Sequence, residues 1–406
     1  MRGFAVRTEV ADALRLLDER IAMLPSESIP LVNAAGRVLA KAVVAVVNVP
    51  AFDRAAMDGY AVRGEDTFGA SFYNPLRFQI VGESLPAQPC NVEVSRNTAI
   101  RIMTGAPMPF GADAVLPAEM AQEENESMCA TDPVPPGRHV ARVGEDVASG
   151  SHVLAAARRL RPQDVGLLAS IGVSEVHAVR QPTVAILATG NELLSPGTVA
   201  SGSQIIDCNS ITLTALIRRD SGVPMPTRYL KDDMDAIRNA IQETSADVIL
   251  VSGGSSVGKE DHAPRIVAEL GELPIHGIAL RPASPAGIGF LGDRPVFLLP
   301  GNPVSCLCAY DLLAGRAIRR LGGRNPDLPY RSEEKTLAAK IVSAVGRVDY
   351  VRVRITDGGI VPIAVSGASL LSSTVNADGF VLVERESEGY APGERVLVYL
   401  YDEFQS

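Results

Sequence analysis

Histidine and cysteine are scarce in this chain, at five each in 406 residues. The histidines show no metal-ligand spacing, so neither a zinc site nor a Ser-His-Asp triad is in view. An odd number of cysteines fits a reducing compartment better than a disulfide framework. Cys306 and Cys308 form a C-x-C. No second Cys or His cluster accompanies them, and in a helical run they are expected to be buried small hydrophobes. Long apolar runs are also missing. None approaches a membrane span and the N-terminus has no signal-peptide core, so a cytoplasmic protein with no membrane partner is expected. Excess positive charge is missing too. A formal net charge of −9 argues against wholesale nucleic-acid binding, so an anionic ligand needs a local basic site or a metal.

What is present is a folded chain, with 46% hydrophobic and 21% charged residues. Its length exceeds one ordinary core and suggests two to four domains. The most informative stretch is residues 183–323. Three apolar runs, at residues 183–188, 247–251 and 295–299, read as buried strands. Each ends in a glycine-bearing polar loop. The loops read Thr189-Gly190-Asn191-Glu192-Leu193, Ser252-Gly253-Gly254-Ser255-Ser256-Val257-Gly258-Lys259-Glu260-Asp261, and Pro300-Gly301-Asn302-Pro303-Val304-Ser305. Between them, Ile211, Leu213, Leu216 and Ile217 recur at helical spacing after Asn209-Ser210, which read as N-caps. Met234, Ile237 and Ile241 mark a second helix, and a third runs from about Pro264 to Leu270 and stops at Gly271. Strands alternating with helices predict a mostly parallel sheet covered on both faces, with ligands at the carboxyl end of the strands.

The loops suit an anion. Residues 252–258 offer backbone N–H groups with few Cβ atoms, plus three hydroxyls, just before a helix. The loop is neither a Walker A sequence nor G-x-G-x-x-G. Pro300, Gly301, Asn302 and Pro303 read as a rigid wall ahead of a second helix N-terminus. Glu192 and Asp261 on the same edge would repel an anion unless a hard cation intervenes, which points to Mg²⁺.

These three loops resemble those of the molybdopterin molybdenumtransferase family (MoeA, and the E domain of gephyrin). Further signatures match at Met57-Asp58-Gly59-Tyr60-Ala61, at residues 98–107 with Thr104 inside, and at Val143-Gly144-Glu145-Asp146-Val147. The resemblance covers nearly the whole chain. It implies an enzyme of molybdenum cofactor biosynthesis that cleaves adenylylated molybdopterin with Mg²⁺, inserts molybdate and releases AMP. It implies catalytic roles for Asp58, Thr104, Glu192 and Asp261, with Glu192, Asp261 and Asp58 as metal ligands. On the ligand side it implies Asp146, Asp232, Ser252, Gly253, Gly254, Ser255, Ser256, Gly258, Lys259, Arg281, Ser284, Pro300, Gly301, Asn302 and Pro303. For Asp232, N-capping of the helix that follows is the competing reading. A homodimer is implied, with Asp58 and Thr104 of one chain near Glu192 and Asp261 of the other. Molybdopterin adenylyltransferase and molybdoenzyme maturation proteins are the implied partners.

The expected architecture is multidomain. A small helical N-terminal domain takes residues 1–48 and 142–181, and an inserted β domain takes residues 49–141. A three-layer α/β/α molybdopterin-binding-type domain takes residues 182–325, and a C-terminal β barrel takes residues 326–406, with strands at 348–355, 359–365, 379–383 and 395–401. Residues 122–127 read as a solvated hairpin tip.

One segment departs from the family. Where the family carries Lys-Pro-Gly-Lys-Pro, with another lysine four residues earlier, this chain has Arg281-Pro282-Ala283-Ser284-Pro285 and Gly277. Arg281 is then the expected basic anchor, with Lys259 as the fallback. The change opens a second reading, a paralogue that carries or scaffolds molybdopterin with an altered substrate or metal.

Overall fold

The computed structural model describes residues 7–254, 262–364 and 367–401, arranged in two compact units. One unit holds residues up to 27, residues 36–38 and everything from 178 onward; the other holds residues 28–35 and 39–177. Among the described residues no helix is long and apolar enough to cross a membrane.

In the first unit the three expected strands, Thr183–Thr189, Val248–Ser252 and Arg294–Leu299, run parallel and side by side. Val223–Pro224 and Arg228–Leu230 extend the sheet in parallel on one side. Gly287–Leu291 and Glu272–His276 extend it antiparallel on the other, giving seven strands. Alternate residues face opposite ways, and both faces are covered. Ile186, Leu250 and Phe297 pack with Leu213 and Ile217 of the Asn209–Arg219 helix, and with the long helical run from Pro303 to Leu321. Leu187, Ile249 and Leu298 pack with Ile237 of Met234–Glu243 and Ile266 of Ala263–Leu270. Burial on both faces is why these strands read as unbroken apolar runs. The layering is α/β/α.

Two details differ from the local rules. The Ala263–Leu270 helix does stop at Gly271, but in extended backbone rather than the left-handed cap conformation. Glycine is needed there because a Cβ would stand 2.1 Å from the Phe290 carbonyl oxygen. The helix Val10–Arg20 also packs Ala13 and Leu17 into the α/β core, so it does not group with residues 142–181. Residues 43–44 pair with His152–Leu154 in the second unit.

Toward the C-terminus five strands pair in the order Arg331–Thr336, Arg395–Leu400, Gly379–Val383, Val348–Thr356, Gly359–Ala364. A bridge from Leu337 to Ile360 joins the last strand to the first, closing the sheet around Val351, Val381 and Val398. Leu280–Arg281, from the α/β layers, adds in parallel to Val348–Asp349.

The second unit is built on a six-stranded sheet in the order Ala114–Pro117, Gly59–Val62, Thr98–Ile102, Leu76–Ser84, Ser127–Ala130, Ala121–Glu124. Residues 122–127 do form a hairpin end, with Glu124 opposite Ser127.

Candidate functional site

At the carboxyl edge of the parallel strands lies a cavity of about 520 Å³. Glu192, Asp207, Asn209, Asp232, Ser252, Gly253, Gly254, Pro300, Gly301 and Asn302 line it. Three loops that are far apart in sequence therefore converge. Ser255, Ser256, Gly258, Lys259 and Asp261 lie outside the described residues.

The loops are held by specific contacts. Gly253 has φ +94°, and a Cβ there would sit 2.3 Å from the Thr189 carbonyl oxygen, so the second loop can pass the first only as glycine. Asn209 Nδ2 donates to Ser252 Oγ at 3.1 Å and to the Gly301 carbonyl at 2.8 Å, tying the second and third loops. Asn209 is thus a strut and not an N-cap. The capping falls to buried Asp207, whose Oδ1 accepts from the backbone N–H groups of Asn209 (2.9 Å) and Ser210 (3.2 Å). Asp207 Oδ2 accepts from Ser210 Oγ and, at 3.1 Å, from the Tyr229 hydroxyl. The capping reading of Asp232 gives way in the same manner. Asp233 caps the Met234–Glu243 helix through Ala236 N–H, whereas Asp232 Oδ2 accepts from Asn191 N–H at 3.2 Å. Its own N–H donates back to Asn191 Oδ1 at 3.3 Å, so Asp232 steadies the loop that carries Glu192.

A second cavity of about 330 Å³ adjoins the first, because Pro285, Pro300 and Asn302 line both. Arg7, Arg281, Ser284, Ser305 and Arg347 also line it. Arg281 Nη2 donates to Asp349 Oδ2, and Arg347 Nε lies 3.3 Å from Asp349 Oδ1. Asp349 is fully buried and also accepts from Ser343 Oγ at 2.6 Å. Ser284 Oγ and the Nε atoms of Arg281 and Arg347 are buried with no hydrogen-bond partner among the described residues. Arg347 Nε is held by its ion pair with Asp349, which leaves Ser284 Oγ and Arg281 Nε as the donors that ask for an acceptor. The helix N-terminus at Pro303 is less available. Pro303 has no N–H, and Val304 N–H already donates to the Ala368 carbonyl at 2.9 Å.

The remaining expected residues lie in the second unit. Asp58 Oδ1 accepts from Thr104 N–H and from Thr104 Oγ1, each at 2.7 Å. These bonds, the backbone one foremost, hold the Asp58 carboxyl below its ordinary pKa. Both residues are exposed. Asp146 is exposed on a turn whose backbone is tied to Val49.

For a metal, the oxygen donors lining the larger cavity are of the hard kind that Mg²⁺ takes. Glu192 and Asp232 are among them, while Asp207 is engaged by its four bonds. Among the described residues no three His, Cys, Asp or Glu side chains are grouped to hold an ion. Cys306 and Cys308 are buried, and burial pushes the Cys306 thiol up to about 12, so neither offers a thiolate.

Three family models match in succession. They are the MoeA N-terminal region (domain I and II) over residues 8–172, a probable molybdopterin binding domain over 185–320, and the MoeA C-terminal region (domain IV) over 335–401. The chain is 35% identical to molybdopterin molybdenumtransferase 2 of Mycobacterium tuberculosis, over 84% of this chain and 86% of that one. It is 33% identical to the molybdopterin molybdenumtransferase of Haemophilus influenzae, over 92% and 93%. The chain belongs to the MoeA family. The crystal structure of the molybdopterin biosynthesis moeA protein from Pyrococcus horikoshii OT3 superposes with a TM-score of 0.80 at 32% identity, covering 98% of this chain and 100% of that one. The MoeA fold of several domains, with its α/β molybdopterin-binding domain, therefore extends across this chain. Asp207, Asn209, Arg347 and Arg7 were not among the expected site residues of this MoeA chain. Asp207-Cys208-Asn209-Ser210 carried a signal, since an aspartate two residues before a cap-like asparagine can take over the capping.

Proposed function

We propose that this protein is a molybdopterin molybdenumtransferase that acts in molybdenum cofactor biosynthesis. It takes adenylylated molybdopterin and molybdate, works with Mg²⁺, and releases AMP. The observation that carries this reading is the pair of adjoining cavities. One is walled by carboxylates and glycine-loop backbone, the other by guanidiniums and hydroxyls.

In this reading the phosphate-bearing part of the pterin lies along residues 252–254 and 300–302, where Asn209 keeps the two walls at a fixed spacing. Fixed positioning lowers the barrier by removing the cost of orientation during reaction. Glu192 with Asp261, and Asp58 of the partner subunit, would hold Mg²⁺. When bound, the ion neutralises charge on the phosphoanhydride. Molybdate occupies the smaller cavity, where Arg281, Arg347, Ser284 and Ser305 offer donors to its oxygens. The shared rim of Pro285, Pro300 and Asn302 is where pterin and oxyanion meet.

The protein acts as a homodimer in the cytoplasm. Asp58 and Thr104 form a preorganised exposed pair, as a group reaching a second copy's site requires, and all five cysteines are free. Molybdopterin adenylyltransferase supplies the substrate, and molybdoenzyme maturation proteins receive the product. The carrier or scaffold reading loses its motive once Arg347 is counted, because a cationic wall exists without the family lysines. Native mass spectrometry after mild purification from cells that make molybdopterin tests the proposal. Glu192→Gln is expected to retain the adenylylated pterin mass. Absence of any pterin from both wild type and variant overturns the reading.

A further inference from the structure

We propose that Arg7 is an oxyanion-binding residue of the smaller cavity, supplying charge that the altered lysine segment leaves out. This rests on the reading of that cavity as an oxyanion site. A tetrahedral dianion such as molybdate brings two negative charges. Of the two guanidiniums in the wall, Arg281 and Arg347, both face the single buried carboxylate of Asp349. That arrangement fixes them in place but leaves one net positive charge. None of the described residues lining the cavity is acidic, and the only further cation among them is Arg7. With Arg7 the net charge of the wall matches the dianion.

The backbone places Arg7 there. Thr8 forms a parallel bridge with Ile278: Thr8 N–H donates to the Gly277 carbonyl at 3.0 Å, and Ala279 N–H donates to the Thr8 carbonyl at 2.8 Å. Gly277 and Arg281 hold two of the positions at which the family's lysines are replaced, and Ser284 holds the third. The bridge at Thr8 thus sets a cation beside the stretch of chain that has lost its own. The family match begins at residue 8, so Arg7 falls just outside it. A guanidinium also offers a planar pair of N–H donors to two oxygens of one anion, which an ammonium cannot.

The test is calorimetric titration of sodium molybdate, and separately sodium tungstate, into the full-length protein. Arg7→Ala is expected to bind roughly ten- to a hundred-fold more weakly than wild type, the loss of one charge-assisted contact. Arg7→Lys should fall between the two, keeping the charge without the fork. Arg15→Ala, an exposed arginine paired with Asp12 on the first helix, controls for general electrostatics and should bind as wild type does. Arg7 is exposed near the start of the chain, so its variants should keep the wild-type melting curve. If wild type saturates with molybdate and Arg7→Ala stays within twofold of it, the role of Arg7 is refuted while the cavity reading stands. If wild type takes up neither oxyanion, the cavity reading itself falls and the role of Arg7 falls with it.

Discussion

Arg281 and Asp349 stand opposite one another in a two-residue parallel ladder, and the guanidinium of one closes on the buried carboxylate of the other. The pairing joins the altered lysine segment to a strand of the C-terminal barrel. It also changes what Arg281 is for. An arginine already committed to a carboxylate is an oriented donor and not a mobile counter-charge, so in the proposed reading it would direct an anion without supplying most of its attraction.

Asp349→Ala should therefore be costly. It strands two half-buried guanidiniums beside each other, and breaking such a pair costs about 3 kcal/mol. Chemical denaturation would show this as a lower midpoint. A midpoint equal to wild type would mean that the two arginines find other partners at no cost.

Ala283 gives an unusual expectation. It is buried and holds φ +123°, in the range that favours glycine, at the position where the family motif carries glycine. Ala283→Gly should stabilise the protein by about 1 kcal/mol, because relief of backbone strain outweighs the entropy that glycine normally costs. Differential scanning calorimetry checks this, and a lower melting temperature would contradict it.

The Asp58–Thr104 pair predicts a pH effect. The folded-state pKa of Asp58 is depressed, so the interaction is fully present above the ordinary aspartate value of about 4. It is lost as pH falls through the depressed value. Thr104→Val removes the hydroxyl but keeps the N–H, so the Asp58 pKa should move part of the way back up. Carboxyl NMR titration reads it directly, and an unmoved midpoint would leave only the backbone bond as the cause.

Asn209→Ala removes the strut between Ser252 and Gly301. Stability should fall by about 1–2 kcal/mol, the cost of leaving buried partners unmade. Pterin affinity should fall as well, because two walls of the larger cavity are no longer tied. Asn209→Asp keeps the shape but loses the donors, and it should behave like the alanine variant. Binding of pterin by either variant at wild-type strength would show that the loops hold themselves.

Much of this is legible in the sequence because its causes are local. The three central strands announce themselves by apolar residues on both faces, and the glycine loops follow directly from them. Arg331–Thr336 does not, since its Arg-Ser-Glu-Glu-Lys-Thr carries no apolar alternation and its place is set by pairing with Arg395–Leu400. The exchange of roles between Asp207 and Asn209 is likewise hidden. Both residues suit a cap, and only the approach of Ser252 and Gly301 decides which one is used. Arg7 and Arg347 lie far along the chain from the motif they flank. One arrives through the bridge at Thr8 and Ile278, the other beside the ladder at Val348 and Asp349.

The central claim is metal insertion, and a defined turnover reaction tests it most directly. Purified protein is incubated with adenylylated molybdopterin, molybdate and Mg²⁺, while AMP release and activation of a molybdenum-free apoenzyme are followed together. The account predicts that AMP and active cofactor appear in step with wild type, and that both are abolished in Glu192→Gln while its melting temperature is unchanged. Tight pterin binding by the wild type with neither product formed would contradict it.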